Sequence, residues 1–229
     1  MTTTRRLALS ACVAALLACT RQPAEEATVP AEPAGCAPVK MPGGSAPTYR
    51  CTLRSGEPPV MVSLVFDSAA RTVDRLELRR QGDSIPFQVL GESQEETAPD
   101  GVFPLGARDF DADGRLELTL LSMWGATGNT LHHVWRWEPA RRAFAYDSTI
   151  SALASPVPIA GRPCVRSRQK GGHAGLIYGE VELCRERGRW VTAREESQDW
   201  DEPLGAYVKV RRERRGGALV VAGVDTVRR

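Results

Sequence analysis

Val60-Met61-Val62-Ser63-Leu64-Val65-Phe66, then the polar turn Asp67-Ser68-Ala69-Ala70-Arg71, then Val73-Asp74-Arg75-Leu76-Glu77-Leu78, is the stretch that decides the fold class. A β-branched apolar run, a turn and a run alternating with period two predict an antiparallel hairpin. The same order recurs further on. His133-Val134-Trp135-Arg136-Trp137 and Ala143-Phe144-Ala145-Tyr146 flank a turn at 138–142. Gly179-Glu180-Val181-Glu182-Leu183-Cys184 and Trp190-Val191-Thr192-Ala193 flank 185–189. Tyr207-Val208-Lys209-Val210 is followed, after Arg214-Arg215-Gly216-Gly217, by Ala218-Leu219-Val220-Val221. No helical pattern of comparable length competes. Residues 94–100 form an acidic, proline-containing loop, and 151–162 carry the breakers Pro156, Pro158 and Gly161. The chain is expected to be all-β, a small β-propeller-like domain or a β-sandwich, and hairpin spacing does not choose between them.

Composition narrows the function. The 229 residues suit one large or two small domains, and 30 Lys+Arg against 28 Asp+Glu give a net charge of +2. That balance excludes the basic footprint of a dedicated nucleic-acid binder. Three histidines are few for a His-ligated metal enzyme. There is no Gly-x-Ser-x-Gly elbow, His-Glu-x-x-His or P-loop, so the reading is a binding protein rather than an enzyme.

The first residues read as an address. Arg5 and Arg6 precede an apolar, small-residue run over 7–18, which is shorter than the ~20 residues needed to span a bilayer. Leu16-Leu17-Ala18-Cys19 resembles the bacterial lipoprotein box, so residues 1–18 are expected to be a signal peptide and Cys19 the lipidated N-terminus. Thr20 stands where many inner-membrane lipoproteins carry aspartate, which places the expected anchor on the periplasmic face of the outer membrane. Removing 1–18 leaves 28 basic against 28 acidic groups, so the lipid does the anchoring. Residues 20–35 contain four Ala, three Pro and three Glu. Such composition cannot bury enough surface to order itself, so 19–47 is expected to be a tether and 48–229 the domain, its ordered part beginning between Cys36 and Tyr49.

Four cysteines remain in an oxidising compartment: Cys36, Cys51, Cys164 and Cys184. Two disulfides are expected, with three connectivities open and the local pairs Cys36–Cys51 and Cys164–Cys184 favoured.

The sharpest motif is Asp109-Phe110-Asp111-Ala112-Asp113-Gly114-Arg115-Leu116-Glu117. Aspartates at alternate positions converge when a loop coils, Arg115 can offer its backbone carbonyl, and Glu117 stands at the ninth position. All are hard oxygen donors, so the expected occupant is a structural Ca²⁺. The full EF-hand pattern fails, because Leu120 stands where the bidentate glutamate belongs. Beyond the strand that follows, Gly125-Ala126-Thr127-Gly128-Asn129-Thr130 reads as a structured loop, with Trp124 and His132 at its rim. His132 and His133 cannot share one face of a strand.

The run from Asp109 through Gly125-Ala126-Thr127-Gly128-Asn129-Thr130, Val134-Trp135, Pro139 and Phe144 resembles periplasmic immunity lipoproteins of bacterium-killing type IV secretion systems, which inhibit lysozyme-like peptidoglycan hydrolases. Gly171-Gly172-His173-Ala174-Gly175-Leu176-Ile177-Tyr178, with Glu180, Glu182 and Trp190, is similar to the family's later segment. The likeness runs roughly from Tyr49 to Val221 and is dense in those two segments. It implies a small propeller-like domain with a calcium loop, and inhibition of a muramidase by loop insertion. Gly175-Leu176-Ile177-Tyr178 also resembles the Ser-Gly-x-x-Tyr element of bacterial lysozyme inhibitors, although Ala174 replaces the serine and so removes its hydroxyl. Partner contacts are accordingly expected at Trp124, Asn129, His132 and Tyr178. The competing reading is an envelope scaffold or glycan-binding β-domain that inhibits nothing.

Overall fold

The computed structural model describes residues 35–39, 47–67, 72–91 and 105–227. The expected signal peptide, Cys19, the tether up to residue 34 and the acidic loop at 94–100 lie outside the described residues. Three antiparallel sheets follow one another along the chain. The first holds β1 (Cys36–Val39), β2 (Thr48–Cys51), β3 (Val60–Asp67), β4 (Thr72–Arg80) and β5 (Gln88–Gly91). The second holds β6 (Leu105–Arg108), β7 (Glu117–Trp124), β8 (Thr130–Glu138) and β9 (Ala143–Tyr146). A short helix, α1 (Ser148–Ser151), leads to the third sheet. Its strands are β10 (Val157–Pro158), β11 (Cys164–Lys170), β12 (Tyr178–Glu186), β13 (Arg189–Asp201), β14 (Ala206–Arg215) and β15 (Ala218–Val227). Strand order equals chain order in every sheet. Repeated meanders of this kind fit both the propeller-like and the sandwich reading, and no sheet among the described residues closes into a barrel.

All four expected hairpins are present, as β3–β4, β8–β9, β12–β13 and β14–β15. Two of their turns place two consecutive residues in left-handed backbone. Gly216 and Gly217 have φ of 59° and 89°, and Arg187-Gly188 has 49° and 81°. Two consecutive positive φ values are what a two-residue hairpin turn demands, and glycine adopts them without steric cost.

The strands run longer than their apolar cores. β13 continues through Glu195 and Glu196 to Asp201, and these acids pair across the sheet with the basic run of β14. Glu195 lies opposite Arg212, Glu196 opposite Arg211 and Arg194 opposite Glu213. The basic run at 211–215 is therefore part of a strand in a charged ladder. Cross-strand pairs of opposite sign favour that register.

The boundary expected at residue 48 falls inside the first sheet, because β1 pairs with β2 over Cys36–Cys51, Ala37–Arg50, Pro38–Tyr49 and Val39–Thr48. Backbone pairing and a disulfide hold a segment whose composition alone gave no strand signal. Cys36–Cys51 and Cys164–Cys184 are both bonded, each joining directly opposed residues of neighbouring strands. The local connectivity is thereby selected from the three.

Packing orders the sheets. Val62, Leu64, Leu76 and Leu78 of the first sheet share one core with Leu105, Leu118, Leu120 and Trp135 of the second. The opposite face of the second sheet offers Val134 to a smaller core with Phe110, Ile150 and Val165, against which Trp190 packs. The middle sheet is thus covered on both faces, which is why β7 is buried continuously from Glu117 to Leu121. Asp147 ties the second interface together. Its Oδ1 caps α1 by accepting from the Thr149 and Ile150 N–H groups, each at 3.1 Å, while Oδ2 accepts from Trp190 Nε1 at 2.9 Å.

Candidate functional site

The 109–117 segment leaves β6 and returns as β7. Phe110 is 1% exposed and pins the loop to the smaller core, so the aspartates on either side of it project from a fixed base. Oxygens of Asp109, Asp111 and Asp113 all lie within 4.8 Å of one another. One oxygen of each carboxylate holds the loop in shape. Asp109 Oδ2 accepts from the Gly114 N–H at 3.0 Å, and Asp113 Oδ1 accepts from the Arg115 N–H at 2.7 Å. Arg185 reaches across from β12 and donates from Nη1 to Asp111 Oδ2 at 2.7 Å. The remaining oxygens Asp109 Oδ1 and Asp111 Oδ1 are buried with no hydrogen-bond partner. Buried carboxylate oxygens are ordinarily satisfied, so two orphans in one loop are a feature that a cation could account for.

The electrostatics point the same way. Burial, with Asp113 beside it, raises the Asp111 pKa despite Arg185. Glu117, 4% exposed, sits below the loop and accepts from the Phe110 N–H at 2.8 Å. Burial pushes its pKa up to about 8, against the lowering effect of that hydrogen bond. The arrangement is short of positive charge, the setting in which a hard divalent cation would be accommodated. Arg115 turns its side chain away from the aspartates, pairs with Glu57 and lies 5.7 Å from the Trp137 ring centre. Cys164 and Cys184, which lie close to Glu182, are joined in a disulfide and form no metal site.

The expected partner-facing residues fare differently from one another. Trp124, 37% exposed, ends β7 beside exposed Met123 and offers an apolar contact. Asn129 closes the turn after it, but its amide is committed. Nδ2 donates to Lys170 O at 2.8 Å, and Oδ1 accepts from the Lys170 N–H at 2.9 Å. This clamp joins the β7–β8 turn to the end of β11, directly before the 171–177 loop. Tyr178, opposite Lys170 in the sheet, donates to Glu196 Oε1 at 2.6 Å and lies beneath Arg168, whose guanidinium is 4.1 Å from the ring centre. Asn129 and Tyr178 therefore organise the rim.

His132 is turned inward rather than to the rim. Its Nδ1 is buried without a partner, while His133 on the other face of β8 meets Tyr146 OH at 3.1 Å. Desolvation, with the charges of Arg108 and His133 nearby, pushes the His132 pKa down to about 4. The unfolded chain protonates this ring near 6.5, so the folded state loses stability as pH falls from 6.5 towards 4. Glu117 acts in the opposite direction, so a comparison with His132→Asn isolates the histidine. The wild type should lose ~3 kcal/mol relative to the variant over that interval, measured by urea denaturation at each pH. An unchanged difference between the two proteins would mean that the ring is solvated.

The 171–177 loop has a feature that composition did not announce. His173 and Ala174, neither of them glycine, have φ of 52° and 54°, and Gly175 continues at 83°. Two adjacent non-glycine residues in the left-handed region store strain of the kind concentrated at functional sites. His173 Nδ1 meets Tyr207 OH at 2.9 Å, and its ring packs near Trp200 and Tyr207. The flanking Gly171-Gly172 and Gly175 were the available signal. The aromatic partners come from strands about 30 residues away and left none.

No family model and no curated protein matches the chain. A solved structure described as that of a Xanthomonas type IV secretion system related protein has the same fold, with a TM-score of 0.55 and 14% sequence identity. The likeness covers 82% of this chain and 98% of that one.

Proposed function

We propose that the protein is a lipid-anchored periplasmic binding protein that inhibits a lysozyme-like peptidoglycan hydrolase, as an immunity factor in a type IV secretion setting. One observation carries the reading. The two segments that resemble such immunity proteins, 125–130 and 171–178, are distant in sequence yet joined at a single rim by the Asn129–Lys170 clamp. The neighbour described as type IV secretion related supports the setting through its shared fold. Trp124 supplies the apolar anchor, and the strained 171–177 loop supplies a protruding, preformed element that need not be ordered on binding. No catalytic role is assigned to any residue.

A Ca²⁺ ion held by Asp109, Asp111 and Asp113, with the Arg115 carbonyl and Glu117 completing the set, would neutralise the loop and fix the start of β7. That strand carries Trp124 at its far end, so the cation's role is to stiffen the platform. Lipidation at Cys19, followed by Thr20 rather than aspartate, would place the protein on the periplasmic face of the outer membrane.

The test is a turbidity assay with muramidases of several classes, including any secreted hydrolase encoded beside this gene. Stoichiometric protection is expected, and Trp124→Ala should weaken it about thirtyfold, the scale of a loss of 2 kcal/mol at an interface hot spot. Absence of protection from every hydrolase, with calcium stabilisation intact, would favour the scaffold or glycan-binding reading instead.

A further inference from the structure

A cavity of 260 Å³ opens between the first and second sheets, with Arg115 in its lining. Two cross-sheet links frame it. The Leu116 N–H donates to Leu53 O at 2.7 Å, and the Gln88 amide pairs with the Phe144 backbone through two bonds of 2.8 Å. Its walls are apolar and aromatic, with Leu53, Val60, Phe87, Trp137 and Phe144 facing the space. Its charges are Arg80, Arg115 and Arg142 against the single carboxylate of Glu57.

These charges are unequally satisfied. Glu57 is engaged by Arg115. Arg80 lies over Phe87, 5.6 Å from the ring centre, and neither Arg80 nor Arg142 has a carboxylate partner among the described residues. Among the described residues the cavity is thus lined by two exposed guanidiniums without a carboxylate partner, beside an aromatic slot. Guanidinium forks match a carboxylate's two oxygens, and the slot excludes water from whatever the carboxylate carries. At 260 Å³ it holds a single ring or branched acyl group rather than an extended ligand.

We infer that this cavity is a binding site for a small organic carboxylate bearing one aromatic or branched aliphatic group, held by Arg80 and Arg142 with its apolar body against Phe87 and Trp137. The site is separate from the rim proposed above and stands whether or not the protein inhibits a hydrolase.

The probe is 3-phenylpropanoate, titrated into the oxidised, unlipidated protein while the tryptophan indole N–H resonances are followed by NMR. The Trp137 signal is assigned from Trp137→Phe. The expected result is a saturable shift at Trp137, with 3-phenylpropanamide binding at least about tenfold more weakly, since it keeps the shape and loses the charge. Arg80→Gln and Arg142→Gln should each weaken binding about fivefold. Because both side chains are exposed, the melting temperature should be unchanged. Equal affinity for acid and amide, binding indifferent to both arginine variants, or shifts that spare Trp137 would each overturn the assignment.

Discussion

Calcium added to the oxidised protein should raise its melting temperature by roughly 10 °C at a free concentration about a thousandfold above Kd. Binding to the folded state alone contributes ~4 kcal/mol at that excess, and a domain of this size gains about 2–4 °C per kcal/mol. Two substitutions separate the metal from the loop's own architecture. Asp109→Asn keeps an oxygen to accept the Gly114 N–H, so the calcium-free protein should melt near the wild-type temperature while the calcium response is largely lost. Asp111→Ala should lose the response and also destabilise the calcium-free protein by ~1–3 kcal/mol. It strips the partner from Arg185, whose side chain is mostly buried. Differential scanning fluorimetry with calcium and with EDTA reads all three proteins. An Asp109→Asn protein that responds like the wild type would remove the cation from this loop.

Phe110→Ala should cost ~3–5 kcal/mol, the range for deleting a fully buried aromatic side chain. The ring touches the smaller core, where Val134, Ile150 and Val165 come from three different elements and little can collapse into the gap. The same change should weaken calcium binding, because Phe110 lies between Asp109 and Asp111 and anchors both. Urea denaturation without calcium reads the first effect, and calcium titration of the folded variant reads the second. A loss below about 1 kcal/mol would mean that the second and third sheets are held chiefly by other contacts.

Much of this was legible in the residues. Val60–Phe66 with Val73–Leu78 announced β3–β4 because a half-buried strand writes its face with period two. Arg187-Gly188 and Gly216-Gly217 announced turns because the backbone itself restricts who can sit there. The strand at Cys36–Val39 was not legible, since it is held by pairing and a disulfide to residues it meets only after folding. The β13–β14 ladder was hidden for a related reason. The charged runs at 194–196 and 211–215 show no partner in sequence until a register sets Glu195 against Arg212 and Glu196 against Arg211.

At the site, the residue types of 109–117 determined by themselves that three carboxylates converge, since alternating oxygen donors around a glycine turn are a local property. What each side chain faces was decided by tertiary structure alone. Arg185 reaches Asp111 across 74 positions, Asn129 is tied up by Lys170 across 41, and Gln88 closes on Phe144 across 56. Tertiary packing alone turned His132 inward and gathered three arginines around an aromatic slot. Backbone preference and period act within a few residues, so the sequence determined the hairpins and the clustering of the 109–113 carboxylates. Burial, ion pairing and cavity shape arise between sheets whose contributing residues carry no mark of one another until the sheets pack.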